Sequence, residues 1–298
     1  MARQLTERTG YTISPIRAHA FLMEISEACA DSLEVARYFD LSWSGFLGID
    51  GKAVLIKDIW WHLLLAVDTG TRDIVNFLLA PEEDYPSYHD LLWETVAGIG
   101  YPLRGAVSDL DQSIKAVMRD HFGKVPHQRC LVHIEATIDR LLPKRKRTRE
   151  QWSFKQMFDS VIYAESKSEA RENLDDLIRE SNQYQGEEYD YLRGMLARNF
   201  DGIREHFSHR GLPPENNITE GVISQLSGKL KLTKGFETYD TACSLIKLMV
   251  FWYRTKPFTD SVVNHYNKRS PLEIAGADLG DRSWVDLSQM ILRNQGPG

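Results

Sequence analysis

Acidic side chains at the ends of apolar runs are places where a chain can hold divalent ions, and this sequence has several. Asp50 follows SGFLGI and precedes Gly51, Asp109 follows LRGAVS, and Glu220 stands in NNITEGV, near the start of a helical pattern. Mg²⁺ takes carboxylate oxygen and keeps some of its waters, so acids from separate elements can share it. Two-metal phosphoryl transfer needs at least three carboxylates converging on ions about 3.5–4 Å apart. Each acid also has a plainer reading. An Asp after a strand is commonly a turn or cap residue, and a Glu in a first helical turn complements the dipole. Asp68 ends a second apolar run and Asp111 follows Asp109 by two residues, so both compete for the same role. Residue types and spacing alone point to a metal-dependent enzyme and stop there.

A second constellation is Cys130-x-x-His133, with His206-x-x-His209 further on. Together these have the spacing of a tetrahedral zinc set. Pairs three apart on a helix often only share a face, however, so zinc is the less favoured reading. Cys130 then packs as a small hydrophobe, and His133 contacts nucleic acid or orients a neighbouring acid. Basic residues gather in RLLPKRKRTR, which includes Lys144, Arg145, Lys146 and Arg147, and in GKLKLTK, which holds Lys229, Lys231 and Lys234. The net charge of −6 argues against a protein that coats nucleic acid, because phosphate neutralisation needs clustered Lys and Arg. Two local basic runs flanking one acidic site turn the expectation toward DNA contact. Trp60, Trp61 and Trp93 are expected in the core. Trp152, beside the first basic run, could stack on an unpaired base, though packing is favoured, and Arg129 could meet the scissile phosphate.

Several elements must position these groups. Residues 16–40 have helical apolar spacing. Three apolar β-rich runs follow, SGFLGID, IWWHLLLAVD and DIVNFLLA, separated by turn chemistry at Asp50-Gly51 and Asp68-Thr69-Gly70. SYHDLLWETVAGIG reads as a helix opened by Ser87, LRGAVSD as a strand, QSIKAVMRDHF as an amphipathic helix and KVPHQRCLVHI as another strand. Helices are expected at about 218–230, 239–254 and 284–292. The alternation is an α/β pattern. Residues 135–210 are polar, charged and helical in period, too long for a loop inside a compact domain, and read as an all-α insertion. The expected division is a short N-terminal helical segment (1–42), a core in two parts (43–134 and 211–256, the second with the catalytic helix), the insertion (135–210) and a C-terminal tail (257–298). MARQLTERTG has no apolar core for a signal peptide, no run is long enough for a membrane helix, and three widely spaced cysteines form no disulfide framework. These features imply a cytoplasmic or nucleoid-associated protein.

GIDGK around Asp50, AVSDLDQSI around Asp109, PHQRCLVHI, and NNITEGVISQLSGKLK around Glu220 together resemble the mutator-type transposases of bacterial insertion sequences. The resemblance runs from about residue 43 to 256 and rests on four motifs in order. It implies a DDE transposase with a ribonuclease H-like core: a mixed five-stranded sheet with flanking helices, Asp50 and Asp109 on neighbouring strands, and Glu220 arriving from a packed helix. It further implies catalysis by two Mg²⁺ (or Mn²⁺) ions held by Asp50, Asp109 and Glu220, with water and then a 3′-OH as nucleophile. The expected partners are double-stranded DNA at transposon ends and target, with a homodimer on the DNA. Family members usually carry a longer N-terminal DNA-binding region, whereas about forty residues precede the catalytic region here. Two alternatives follow: a transposase-derived DNA-binding or regulatory protein, or a ribonuclease H-like nuclease that does not transpose.

Overall fold

The computed structural model describes residues 14–180 and 183–294. The helical stretch near the N-terminus is two helices, α1 (Pro15–Glu27) and α2 (Ser32–Tyr38). The break comes where Asp31 and Glu34 form a capping box that opens a new helix and satisfies its first amides.

Strand β1 (Phe46–Ile56) continues through Asp50-Gly51, where the sequence suggested a turn. Gly51 has no positive φ, and the reversal comes at Lys57 and Asp58, whose φ values are 47° and 64°. Two successive positive-φ residues suit the two-residue hairpin that joins β1 to β2 (Ile59–Asp68). Strand β3 (Ile74–Ala80) runs antiparallel to β2, from His62↔Ala80 to Val67↔Ile74. Asp84, rather than Ser87, caps α3 (Tyr85–Trp93), which continues as a π-turn over Glu94–Gly98. Strand β4 (Gly105–Ser108) and helix α4 (Gln112–Phe122) lie where the sequence puts them, but β5 is only His127–Arg129. It ends there because Leu131, Ile134 and Ile138 recur at helical spacing and form the buried stripe of α5 (Leu131–Leu141).

The sheet order is β3-β2-β1-β4-β5, with β1/β4 and β4/β5 parallel and β2/β3 antiparallel. This mixed five-stranded sheet with flanking helices is consistent with a ribonuclease H-like transposase fold.

After α5 the chain is helical: α6 (Arg149–Ile162), α7 (Lys167–Glu180), α8 (Glu187–Asn199) and the short α9 (Glu205–Ser208). Their apolar stripes close one cluster, including Phe154, Phe158, Leu174, Leu192 and Phe200. Helices α10 (Asn217–Thr233), α11 (Tyr239–Thr255), α12 (Pro271–Ile274) and α13 (Trp284–Asn294) follow. None of the helices among the described residues is long and apolar enough to cross a membrane.

The chain divides into two compact units. One comprises residues 1–44, 51–102 and 221–298, and the other residues 45–50 and 103–220. In the first, α2, α11, α12 and α13 share a core that includes Val35, Phe251, Leu272 and Ile291. There Arg254 holds Asp73 with two hydrogen bonds, Nε–Oδ1 at 2.8 Å and Nη2–Oδ2 at 2.9 Å, both side chains fully buried. The second holds β4, β5, the first half of β1, α4 and the helices α5–α9, together with the acidic residues described next.

Candidate active site

The register of the parallel pair brings two acids level. Ile49 pairs with Ser108, so the next residues, Asp50 and Asp109, follow the same rung on neighbouring strands, and both are half-buried. Asp109 Oδ1 accepts the Asp111 amide at 2.9 Å, and its second oxygen carries no hydrogen bond among the described residues. The competing acids are accounted for otherwise. Asp68 is fully buried in the other unit and accepts from Ser44 N and Oγ, Tyr101 Oη, and Thr71 N and Oγ1, between 2.6 and 2.9 Å. Five donors leave it no lone pair for an ion. Asp111 is the N-cap of α4, taking the amides of Ser113 and Ile114 at 2.6 and 3.1 Å.

The start of α10 is seated directly on β1. Asn216 Nδ2 donates to Ile49 O at 3.0 Å, and the Asn216 amide donates to Cys130 Sγ at 3.2 Å. A Cβ at position 48 would lie 1.9 Å from Thr219 Oγ1 and 3.0 Å from Asn216 Oδ1, so only glycine admits the helix here. Asn216 opens the Asn-x-x-x-Glu-Gly motif around Glu220, but Gly48 and Thr219 were not singled out from the sequence. The available signal was the GID and NNIT context, legible only once the close approach is known.

Cys130-x-x-His133 works as a joint. Cys130 is fully buried, and burial pushes its thiol above the ordinary range. Its sulfur accepts the Asn216 amide, tying the start of α5 to α10. His133 Nδ1 then faces Glu220 Oε1 at 3.7 Å, and both atoms are buried without a hydrogen bond. Among the described residues, Cys130, His133 and Glu220 form the group whose ligand atoms lie within 4.8 Å of one another. Asp50 and Asp109 stand outside that group, so the Glu220 side chain is turned toward His133. His206 takes no part in it. It donates its amide to Gln128 Oε1 at 3.0 Å, and burial, reinforced by Arg204, lowers its pKa to about 4. His209 pairs with Glu205 at 3.3 Å.

The basic residues divide by environment. Arg129 is 2% exposed, adjoins the Asp109 loop through Nη1 to Asp111 O at 2.9 Å, and keeps Nε and Nη2 without a partner. Burial lowers its pKa to about 10 against the pull of Asp109 and Asp111. Arg147 is turned inward, bonded to Asp139 and to Leu142 O, with its guanidinium 4.8 Å from the Trp152 ring centroid. Trp152 therefore stacks on an arginine of its own chain. Lys144 pairs with Asp139 at 3.0 Å and is exposed, as are Arg145 and Lys146 within the basic turn. In the other unit Lys229 lies 3.8 Å from the Trp252 ring centroid, and Lys231 and Lys234 are exposed. Trp60 and Trp93, expected inside, are 61% and 53% exposed.

A divalent ion suits this neighbourhood by its donor chemistry. Glu220 Oε1, Asn216 Oδ1 and Thr219 Oγ1 are buried oxygens without hydrogen bonds beside strand β1, and a buried acceptor left unpaired is costly unless a cation or donor meets it.

No curated protein matches the chain. Residues 112–241 match a family model described as Transposase, of the ISL3 DDE type. ISL3 is a different family from the mutator type that the motifs suggested, so the match does not extend to that subfamily. What it supports is an insertion-sequence transposase, and with it a nucleic-acid-processing enzyme.

Proposed function

We propose that this chain is a DDE transposase that cleaves DNA at the ends of its element and joins the freed 3′ end to target DNA. Asp50, Asp109 and Glu220 are its metal-holding acids. The observation that carries this reading is the Ile49–Ser108 pairing, which sets Asp50 and Asp109 each one residue beyond the same rung, with the Glu220 helix anchored at Gly48 and Ile49 on the same strand. Two Mg²⁺ or Mn²⁺ ions bound there supply Lewis acidity and a water of lowered pKa. The chain's own residues do the remainder. Asp50 and Asp109 present carboxylate oxygens side by side, and Glu220 supplies the third after its side chain leaves His133. His133 is a positioning residue that holds Glu220 at the edge of the site. Arg129 steadies the Asp109–Asp111 loop and presents two further donors to a phosphate.

The helices of residues 135–210 serve, in this reading, as the insertion that grips DNA beside the core formed by 43–134 and 211–256. Residues 1–42 and 257–298 flank it. Lys144, Arg145 and Lys146 on one side and Lys229, Lys231 and Lys234 on the other carry the backbone contacts, and the active species is a homodimer on DNA in the bacterial nucleoid.

The test is Mg²⁺-dependent strand transfer with a labelled duplex ending in the terminal repeat that flanks the gene. Joined product is expected from the wild type. Cleavage without joining would indicate a ribonuclease H-like nuclease, and binding with neither would indicate a regulatory derivative.

A further inference from the structure

Next to the Asp109 loop lies a cavity of about 540 Å³ within the second unit. It is lined by α4 from Lys115 onward, the turn into β5, β5 itself, the last turn of α8 and the segment that follows it. Lys115, Arg119, Lys124 and Arg198 are exposed around it, and buried Arg129 also lines it. Of these, Arg119 pairs with Asp120 at 2.7 Å. Lys115, Lys124 and Arg198 have no carboxylate within ion-pair distance among the described residues, whereas Arg129 feels Asp109 and Asp111. The two acids of the lining are already engaged, Asp201 with Arg171 at 3.6 Å and Glu205 with His209 at 3.3 Å. Unbalanced cations therefore converge here in a chain whose overall charge is −6. Burial and the neighbouring Arg129, Arg119 and Arg198 charges lower the Lys115 pKa, as expected where like charges crowd.

Arg129 gives the cavity a more specific character. Its stem is wedged against Gly202, where a Cβ would come within 2.8 Å of Arg129 Cγ, so the side chain has little freedom. Nη1 is used on Asp111 O, while Nε and Nη2 are buried and unsatisfied. These two nitrogens form the same guanidinium edge that Arg254 uses to hold both oxygens of Asp73. The edge is closed off from solvent in this structure, and a phosphate that uncovered it would meet two donors matching its paired oxygens.

We propose that this cavity is a phosphate-binding site, filled by a backbone phosphate of bound DNA, with Arg129 as its deep donor and Lys115, Lys124 and Arg198 as its rim. It rests on the transposase reading and adds a contact site that the two basic runs do not supply. DNA held here would lie against the loop that carries Asp109, so one buried arginine would couple grip to the placement of a catalytic acid.

The experiment compares the wild type with a Lys115→Ala/Lys124→Ala/Arg198→Ala variant, binding a fluorescent duplex of random sequence across about 50–200 mM salt. The slope of log affinity against log salt should flatten by about 1, because a lost phosphate contact removes about 0.9. Melting should hold or rise, since like charges have been removed, and a Lys115→Arg/Lys124→Arg/Arg198→Lys variant should keep the wild-type slope. A parallel arm measures thermal stabilisation by inorganic pyrophosphate. An unchanged slope overturns the proposal. If pyrophosphate then stabilises the wild type and not the triple variant, the occupant is a small free phosphate compound instead of DNA. Asp109→Asn separates this outcome from the catalytic reading. It should lose cleavage with its slope intact, and if it cleaves normally while the triple variant still flattens the slope, the catalytic assignment fails and the phosphate site stands.

Discussion

Asp109 and Asp68 both close apolar strands, and their sequence contexts are nearly interchangeable. Their surroundings are opposite. Asp68 is saturated by five donors and holds a turn together, whereas Asp109 spends one oxygen on a single amide and sits level with Asp50. Different losses follow on substitution. Asp50→Asn, Asp109→Asn and Glu220→Gln should each keep the wild-type melting temperature and lose Mg²⁺-dependent cleavage by about 10²-fold or more, because several kcal/mol of metal-mediated stabilisation go with the charge. Asp68→Asn should do the reverse, lowering stability by about 2 kcal/mol as charge-assisted hydrogen bonds are lost. Normal cleavage by any of the first three variants, with unchanged melting, would remove that residue from the catalytic set. The types of the three acids were legible in the sequence. That Asp68 is saturated was not legible, because hydrogen-bond saturation depends on neighbours distant in the chain, here Ser44 and Tyr101.

At the scale of elements, patterns that are local were legible and patterns that depend on approach were not. The QSIKAVMRDHF helix runs as its amphipathic spacing demands, with Asp111 as its cap. Strand β1 instead passes through Asp50-Gly51, since an Asp-Gly pair makes a turn only when its residues take positive φ, and here Lys57 and Asp58 take it. The strand expected over KVPHQRCLVHI is cut at Arg129 because a short apolar run fits either period. The seating of α10 on β1 is the clearest case of approach. Gly48→Ala would drive a methyl into Thr219 Oγ1, and overpacking of this kind costs about 1–3 kcal/mol. Thr219→Ala should recover part of that loss, since Thr219 Cβ would still be 3.3 Å away. Chemical denaturation of the two single variants and the double variant measures the coupling. Strict additivity would mean that the helix is not held where we describe it.

For the whole molecule, stability rests on a few deeply buried polar joints as well as on apolar cores. Removing one partner of a buried ion pair leaves an uncompensated charge, so Arg254→Met should cost about 3–5 kcal/mol, while Arg254→Met with Asp73→Leu should cost distinctly less. Equal losses in the two variants would show that the pair acts only through packing. The pH response should also be global. Burial depresses His127 to about 3 and His206 to about 4 from an ordinary 6.5. Between those values the unfolded chain binds protons that the folded chain refuses, so stability is full above about pH 6.5 and falls as pH drops toward 3–4. Denaturant midpoints measured from pH 8 to 4 should show this decline, and His127→Gln should make it shallower. A midpoint flat down to pH 5 in the wild type would contradict the neutral state of both half-buried imidazoles.

Asn216 anchors α10 twice, through its amide to Cys130 Sγ and through its side-chain nitrogen to Ile49 O. The Glu220 amide in turn bonds to Asn216 O at 3.1 Å. The main chain that carries the last acid is thus part of the rigid end of the sheet before any nucleic acid arrives. In the proposed function, Glu220 would reach its fellow acids by rotating its side chain away from His133 instead of by moving its helix. Such rotamer changes take picoseconds to nanoseconds, whereas loop or domain closure takes microseconds or longer. If the proposed function holds, completing the acidic triad should not limit turnover, and a slow step before chemistry should depend on the DNA substrate.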